Sequence, residues 1–293
     1  MNQSSSPRRP GFPVQLAAPA SVSGAIKKIA ARAQDISDAG IKSTKNAPPI
    51  AISRPLTTQG QAHRHDQGQG PAHDQAQGHG LDSQAVRLRM VQKLKAQGLG
   101  DSRVLAAMGL IERHRFVDSA LVNQAYEDTS LPIGLGQTIS KPNVVARMLE
   151  LLVEGRLGKL GRVLEIGTGC GYQAALLAQL ATEVYSIERL RGLHDKARAN
   201  LRPLRVANLH LIFGDGMPGY AKGAPYAAII AAAGGEALPT EWRDQLAVGG
   251  RLVAPVQSAS GAQALVVVDK TARGVTHTVL EAVHFVPLKS GTN

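Results

Sequence analysis

The feature that most constrains this chain is a regular alternation of short apolar runs and longer helical stretches between residues 162 and 256. The apolar runs lie at 162–166, 183–187, 209–213, 227–233 and 251–256. Stretches with helical spacing of apolar residues separate them, ending near 181 and 204 and recurring around 240–246. Strands that alternate with helices of this length form βαβ units, so the pattern predicts a parallel sheet with helices on both faces.

Two further apolar runs follow at 264–268 and 279–285, and no clear helical stretch separates them. Consecutive strands without a crossover helix pair in the antiparallel sense. We therefore predict an α/β fold, with a doubly wound, mostly parallel sheet that ends in an antiparallel strand pair.

Three helices are predicted ahead of this alternation. Apolar residues recur close to helical spacing from 85 to 96, and the run ends at Gly98. Asp101 is a good N-cap for a second helix that extends through 111, and a third helix covers about 143–153. The segment that includes residues 131–142 is predicted to be a loop.

The first 80 residues differ in composition from the rest. They contain one aromatic residue, Phe12, and the tract 57–80 is almost entirely Gln, Gly, His, Ala and Asp. Such a segment buries too little apolar surface to offset its ordering entropy. We therefore predict a disordered extension over 1–80 and a folded domain over 81–293.

The formal charge of +11 invites a nucleic-acid or membrane-surface interpretation. The extension carries nine Lys or Arg and four Asp, and 9 − 4 gives +5. The other +6 is spread over 213 residues, which is ordinary for an enzyme. The basic, acid-poor start of the chain leaves a targeting peptide open as an alternative to a plain tail.

Composition excludes several classes of protein and site. The single cysteine, Cys170, rules out an intramolecular disulfide and a cysteine-based zinc site, and it favours the reducing cytoplasm. Every apolar run is shorter than the roughly 18 residues of a membrane span. We expect no metal site, because the histidines of the extension lie in a Gly/Gln context without fixed geometry: His63, His65, His73 and His79.

The turn after the first predicted strand carries the strongest functional signal. Residues 163–172 read VLEIGTGCGY, and a helix rich in Ala and Leu follows. Glycines in this turn allow a sharp bend and close approach of a ligand. The G-x-G-x-G spacing, with an acidic residue inside the strand, suits S-adenosyl-L-methionine better than a dinucleotide. The predicted cofactor-binding residues here are Glu165, Gly167, Thr168, Gly169, Cys170 and Gly171.

Two more acidic residues lie at the ends of the next predicted strands. Glu188 ends the second strand, where a carboxylate can accept hydrogen bonds from ribose hydroxyls. Asp215 follows the third strand and can accept from an adenine amino group, while Gly216 lets the backbone approach the ring. Open parallel sheets bind ligands at the carboxyl ends of their strands, so we predict that these residues contribute to one cofactor site.

Two further segments, together with the glycine turn, carry a family resemblance. Residues 131–140 read LPIGLGQTIS and residues 281–288 read EAVHFVPL. Over about 84–290, the chain closely resembles the protein-L-isoaspartate O-methyltransferases, a family of class I S-adenosylmethionine-dependent enzymes with a Rossmann-like fold. The GQTIS segment is the most specific part, since other class I methyltransferases share the glycine turn but lack it.

The resemblance implies protein repair. A methyl group would pass from S-adenosyl-L-methionine to the free α-carboxylate of L-isoaspartyl residues, and less efficiently to D-aspartyl residues. The ester would then collapse to a succinimide, whose hydrolysis returns part of it to aspartate. The resemblance assigns Ser140 to the substrate carboxylate and Thr138 to covering the cofactor. From the residues alone, Ser140 serves equally well as the N-cap of the helix that Pro142 helps to begin.

The chemistry needs little beyond positioning. A carboxyl group has a reference pKa of about 4, so the nucleophile is ionised without a general base. The remaining work is in-line alignment and exclusion of water. We expect isoaspartyl proteins and peptides as partners, no nucleic acid or membrane, a monomer, and a cytoplasmic location.

Two alternatives stay open at this point. The first is a methyltransferase that acts on RNA or a small molecule, and the second is a non-catalytic nucleic-acid binder that uses the basic extension. RNA recognition favours aromatic stacking platforms, whereas the nine aromatic residues after 81 are dispersed. The chain also departs from the family pattern at two places. Ala227 stands where the family carries an acidic residue, so a structural hydrogen bond is expected to be lost there. Residues 234–236 replace a more Pro-rich turn, which is expected to change the rim of the substrate site.

Overall fold

A computed structural model describes residues 84–258 and 261–293. The disorder predicted for residues 1–80 therefore lies outside the described residues. Six α-helices are present in the described part: α1 Gln84–Ala96, α2 Ser102–Leu110, α3 Pro142–Val153, α4 Tyr172–Leu180, α5 Arg191–Leu201 and α6 Thr240–Gln245. Short 3₁₀ turns cover Arg113–Phe116, Ser119–Gln124, Arg202–Leu204 and Ala221–Gly223.

Nine strands accompany these helices in the described residues. A small hairpin pairs β1 Leu131–Gly134 with β2 Gln137–Ile139. The main sheet contains β3 Leu160–Ile166, β4 Ala181–Glu188, β5 Leu209–Phe213, β6 Tyr226–Ala231, β7 Leu246–Gln257, β8 Gln263–Thr271 and β9 Gly274–Val283.

The main sheet has the order β5-β4-β3-β6-β7-β8-β9. The pairs from β5 to β7 are parallel, and β7-β8 and β8-β9 are antiparallel. The α/β prediction and its antiparallel ending are thereby confirmed. The chain builds outward from β3 to β5, then returns to the other side of β3 as β6. Such a reversal leaves a crevice at the carboxyl ends of the central strands, where ligands bind.

Two hydrophobic cores lie on opposite faces of this sheet. Because successive side chains of a strand point to opposite faces, Val163 joins the core that helices α1 to α5 cover, whereas Leu164 joins the core around Trp242 of α6. Helices on both faces were predicted from the strand–helix alternation, and this prediction is confirmed. Among the described residues, no helix combines the length and apolar character needed to cross a bilayer.

The loop predicted for 131–142 is wrong over most of its length. Leu131 pairs with Ile139 and Pro132 with Thr138 in the β1–β2 hairpin, and α3 already begins at Pro142. Leu131, Ile133 and Ile139 are buried, so the apolar alternation of a strand was present, but over only a few residues on each side. The turn takes positive φ angles at Gly134, Leu135 and Gly136.

Candidate cofactor and substrate site

A cavity of about 460 Å³ lies at the carboxyl ends of the central strands. Four elements form its walls: the glycine turn after β3, the β1–β2 hairpin, the start of α5, and the segment 286–293, which we call the C-terminal strap. Lys196 of α5 holds the hairpin in place, because its Nζ donates to the Ile133 carbonyl oxygen at 2.9 Å and pairs with Asp118. The cavity is therefore built by segments that are distant in sequence.

The glycine turn forms one wall with its backbone. Gly167 and Gly169 have φ angles of 90° and 57°, which only glycine adopts readily. The amides of Gly167 and Thr168 both donate to the Ile187 carbonyl oxygen, at 2.9 and 3.1 Å, so the turn is fixed to β4. Gly167, Thr168, Gly169 and Cys170 all line the cavity.

Glu188 reaches the cavity from the end of β4, as the sequence indicates. Its side chain is almost fully buried, and both carboxylate oxygens already accept backbone hydrogen bonds. One bond comes from the Gly169 amide at 2.8 Å and the other from the Leu190 amide at 2.9 Å. Each oxygen has a second lone pair, so the carboxylate can still accept from a ligand.

Glu165 does not line the cavity. It is fully buried behind the glycine turn, where Ser186 Oγ donates to its Oε2 at 2.5 Å. Thr168 Oγ1 lies 2.6 Å from the same Ser186 hydroxyl, which links Glu165 to the turn. Burial raises the pKa of Glu165 to about 8, because the dry surroundings disfavour the charged form.

Two other predicted cofactor residues also lie outside the cavity lining. Gly171 precedes α4 with a φ of 93°, and a Cβ there would lie 2.8 Å from Leu201 Cδ1, so packing and backbone conformation both require glycine. Two backbone amides hold the Asp215 carboxylate. Its Oδ1 accepts from the Met217 amide at 2.8 Å, and its Oδ2 accepts from the Gly291 amide of the C-terminal strap at 2.6 Å. The structure thus ties Asp215 to the strap.

The C-terminal strap is the part of the site that sequence analysis missed. Besides the bond to Asp215, the Gly291 carbonyl oxygen accepts from Arg189 Nε at 2.8 Å. The Asn293 amide donates to the Arg189 carbonyl oxygen at 3.0 Å, and the Arg191 amide donates to the Asn293 carbonyl oxygen at 2.9 Å. Lys289 and Asn293 line the cavity. These contacts use mainly backbone atoms, so side-chain identity gave no signal for them.

Gly216 is held by the side chain of a buried tryptophan on α6. Trp242 is buried, and its indole Nε1 donates to the Gly216 carbonyl oxygen at 2.9 Å. A Cβ on Gly216 would lie 2.6 Å from Ile166 Cγ2, so the turn requires glycine for close approach. Gly216 lines the cavity, and so does Thr138 of β2.

Ser140 lies where the main cavity meets a second, smaller cavity of about 290 Å³, which we call the groove. The groove is lined by Ser130, Ser140, Lys141, Val144, Ala282, Val283 and His284. Lys141, not Ser140, occupies the N-cap position of α3, and the Lys141 side chain makes no capping hydrogen bond. The Asn143 amide instead donates to Asp128 Oδ1 at 3.0 Å. The described residues therefore give the Ser140 hydroxyl no capping hydrogen bond.

Comparison with known proteins gives a consistent result. The family model described as protein-L-isoaspartate(D-aspartate) O-methyltransferase matches residues 85–293. A protein-L-isoaspartate O-methyltransferase of Methylibium petroleiphilum is 64% identical over 217 residues, which cover 73% of this chain and 81% of that protein. One from Leptothrix cholodnii is 63% identical over 219 residues, covering 73% and 77%.

Solved structures agree with the sequence matches. A structure of a protein-L-isoaspartate O-methyltransferase is 28% identical and has a TM-score of 0.64, covering 70% of this chain and 66% of that chain. A Plasmodium falciparum chain assigned to the same enzymes was solved in complex with S-adenosyl-L-homocysteine. It is 25% identical with a TM-score of 0.62, and the match covers 69% of this chain and 98% of that chain.

Proposed function

The chain belongs to the protein-L-isoaspartate(D-aspartate) O-methyltransferase family, and from that premise we propose which of its residues carry the reaction. The enzyme transfers a methyl group from S-adenosyl-L-methionine to the free α-carboxylate of L-isoaspartyl and D-aspartyl residues in damaged proteins. The single observation that supports our assignment is the position of Ser140. Of the described residues, Ser140 alone lines both the main cavity and the adjoining groove.

The main cavity fits the cofactor. Its volume suits a nucleoside with an amino-acid tail, and Gly216 supplies a wall in which a Cβ has no room. When bound, S-adenosyl-L-methionine supplies a methyl group on a positively charged sulfur. Glu188 would accept from the ribose hydroxyls, and residues of the glycine turn and Thr138 would enclose the ligand. Glu165 would act from behind by stiffening the turn through Ser186.

The groove beside Ser140 would hold the peptide. In this arrangement the Ser140 hydroxyl donates to one oxygen of the substrate carboxylate and directs the other oxygen toward the main cavity. The ionised carboxylate needs no base, so the residues act by orientation and by excluding water. Burial raises the pKa of the Cys170 thiol to about 11, so the thiol is neutral where it lines the cavity.

Kinetics of Ser140→Ala test this assignment. If Ser140 holds the carboxylate, turnover on an isoaspartyl peptide should fall by about 10- to 1,000-fold, while the Kd for S-adenosyl-L-homocysteine changes little. The matched control is Ser102→Ala, which removes an exposed hydroxyl at the start of α2 and should leave turnover unchanged.

A structural role for Ser140 predicts another pattern. Loss of a helix cap would lower the free energy of unfolding by about 1 kcal/mol and leave turnover per folded molecule nearly intact. A stable and fully active Ser140→Ala enzyme would contradict the assignment.

We further infer that the enzyme works in the cytoplasm as a monomer, with isoaspartyl proteins and peptides as its partners and no nucleic-acid or membrane partner. The single buried cysteine is consistent with a reducing compartment. Light scattering at the concentrations used for activity should give a mass near the 30.8 kDa of one chain, and a stable dimer would contradict the inference.

A further inference from the structure

Arg113 is a fully buried arginine immediately behind the junction of the two cavities. It begins the 3₁₀ turn that precedes the β1–β2 hairpin, and none of its surface is exposed. Its Nε donates to the Ala125 carbonyl oxygen at 2.8 Å, and its Nη2 donates to the Ser140 carbonyl oxygen at 2.7 Å. One guanidinium group therefore holds two separate segments, one of which carries Ser140.

No carboxylate among the described residues forms an ion pair with Arg113, and Asp128 stabilises its positive charge from beyond ion-pair distance. The Arg113 Nη1 is buried without a hydrogen-bond partner. The guanidinium instead lies 5.0 Å from the centre of the Tyr172 ring, and Tyr172 lines the main cavity. Burial lowers the pKa of Arg113, yet arginine stays protonated in proteins.

A buried charge that lacks an ion pair is unfavourable unless something compensates for it. Within the family reaction, the group that must come to rest at Ser140 is an anion, the substrate carboxylate. A cation fixed behind Ser140 favours that anion without touching it, and the dry surroundings screen the charge less than water would. Arg113 binds its two carbonyl groups through separate donors, Nε and Nη2, which are held in one rigid plane, and the single Nζ of lysine does not reproduce that geometry.

We propose that Arg113 is a positioning residue for the methyl-transfer reaction: it fixes the backbone of Ser140 and supplies the positive potential that favours the substrate carboxylate at the cavity junction. The proposal rests on the assignment of Ser140 as the residue that holds the carboxylate. Sequence analysis did not single out Arg113.

Arg113→Lys and Arg113→Met separate the two contributions. Lysine keeps the charge but not the paired hydrogen bonds, and we expect kcat/KM for an isoaspartyl peptide to fall by about 10- to 100-fold. Methionine removes both, and its KM for the peptide should rise beyond that of the lysine variant. Binding of S-adenosyl-L-homocysteine and the thermal midpoint, measured on each variant, report whether the fold is retained.

Arg103→Met is the matched control. Arg103 also binds backbone carbonyl groups, those of Val153, Arg156 and Gly158, but it is paired with Asp101 and does not line either cavity. It should lose thermal stability while its kcat/KM per folded molecule stays within about twofold of wild type. If Arg113→Met does not fold, the lysine variant alone decides the outcome.

A double-mutant cycle with Ser140→Ala tests whether Arg113 acts through Ser140. We expect Arg113→Lys to cost less than about threefold further in the Ser140→Ala background. A lysine variant with wild-type kcat/KM per folded molecule, or a loss that adds fully to that of Ser140→Ala, would overturn the proposal. A fully active Ser140→Ala enzyme would instead overturn the underlying assignment, so the two failures are distinguishable.

Discussion

Two glutamates at the ends of neighbouring strands have different environments and therefore different uses. Glu188 faces the cavity and receives two backbone amides, an arrangement that orients a carboxylate toward a ligand. Glu165 lies one layer behind, fully buried, with a pKa raised to about 8 by the loss of solvent. Sequence analysis placed both acids at the strand ends, but only the packing of side chains decides which one meets the cofactor.

Glu188→Ala should weaken cofactor binding by about 1–3 kcal/mol, because ribose hydroxyls lose a charged acceptor and two backbone amides lose their partner. Calorimetry with S-adenosyl-L-methionine measures this as a rise in Kd of about 5- to 150-fold. Glu183→Ala is the control, since Glu183 lies on the same strand but pairs with Arg162 and His210 away from the cavity. An unchanged Kd for Glu188→Ala would place the ribose contact elsewhere.

Glu165 should make stability fall as pH rises. Its folded pKa of about 8 lies above the reference value of 4.5, so between these pH values the folded state holds a proton that the unfolded state has lost. The contribution of Glu165 to the free energy of unfolding is then fully present below about pH 4.5. It declines toward pH 8 by up to about 1.4 kcal/mol per pH unit. Relative to wild type, Glu165→Gln should gain stability across this window in chemical denaturation. Parallel stability curves for the two proteins would contradict the raised pKa.

At the scale of elements, long and repeated patterns were predictable and short ones were not. Strands β3, β4 and β6 are apolar runs with several buried residues, and the helices α4 and α5 follow β3 and β4, so their pattern is clear. The N-cap of α2 was also predicted, and Asp101 does accept from the Arg103 and Val104 amides. The β1–β2 hairpin has only four and three residues in its strands, too few for a reliable alternation. The C-terminal strap is held largely through its backbone, which composition does not reveal.

Deleting residues 289–293 should weaken cofactor binding with little loss of global stability. The deletion removes Lys289 and Asn293 from the cavity wall, and the Asp215 and Arg189 side chains lose their hydrogen bonds to Gly291. The sheet and both cores stay intact. We expect the Kd for S-adenosyl-L-homocysteine to rise by about 3- to 30-fold, which corresponds to about 0.7–2 kcal/mol.

The role of Asp215 follows from the same experiment. If Asp215 acts by holding the strap, Asp215→Ala should weaken binding in the complete chain but add little once residues 289–293 are deleted. Undiminished affinity after the deletion would show that the strap does not contribute to the cofactor site.

At the scale of the whole molecule, all residues that line the two cavities lie after residue 129. The extension contributes +5 of the net charge but none of the predicted site residues. A chain that starts at Leu81 should therefore keep its cofactor affinity and its turnover on a short isoaspartyl peptide. A tenfold or greater loss of turnover would show that the extension takes part in catalysis.

The central claim is that the full chain methylates an isoaspartyl carboxylate held at the junction of two cavities. The most direct test is transfer of a labelled methyl group from S-adenosyl-L-methionine to three acceptors: an isoaspartyl peptide, the same peptide with ordinary aspartate, and bulk RNA. We predict base-labile label on the isoaspartyl peptide alone, at the α-carboxylate. Equal labelling of the aspartyl peptide, or preferential labelling of RNA, would contradict this account.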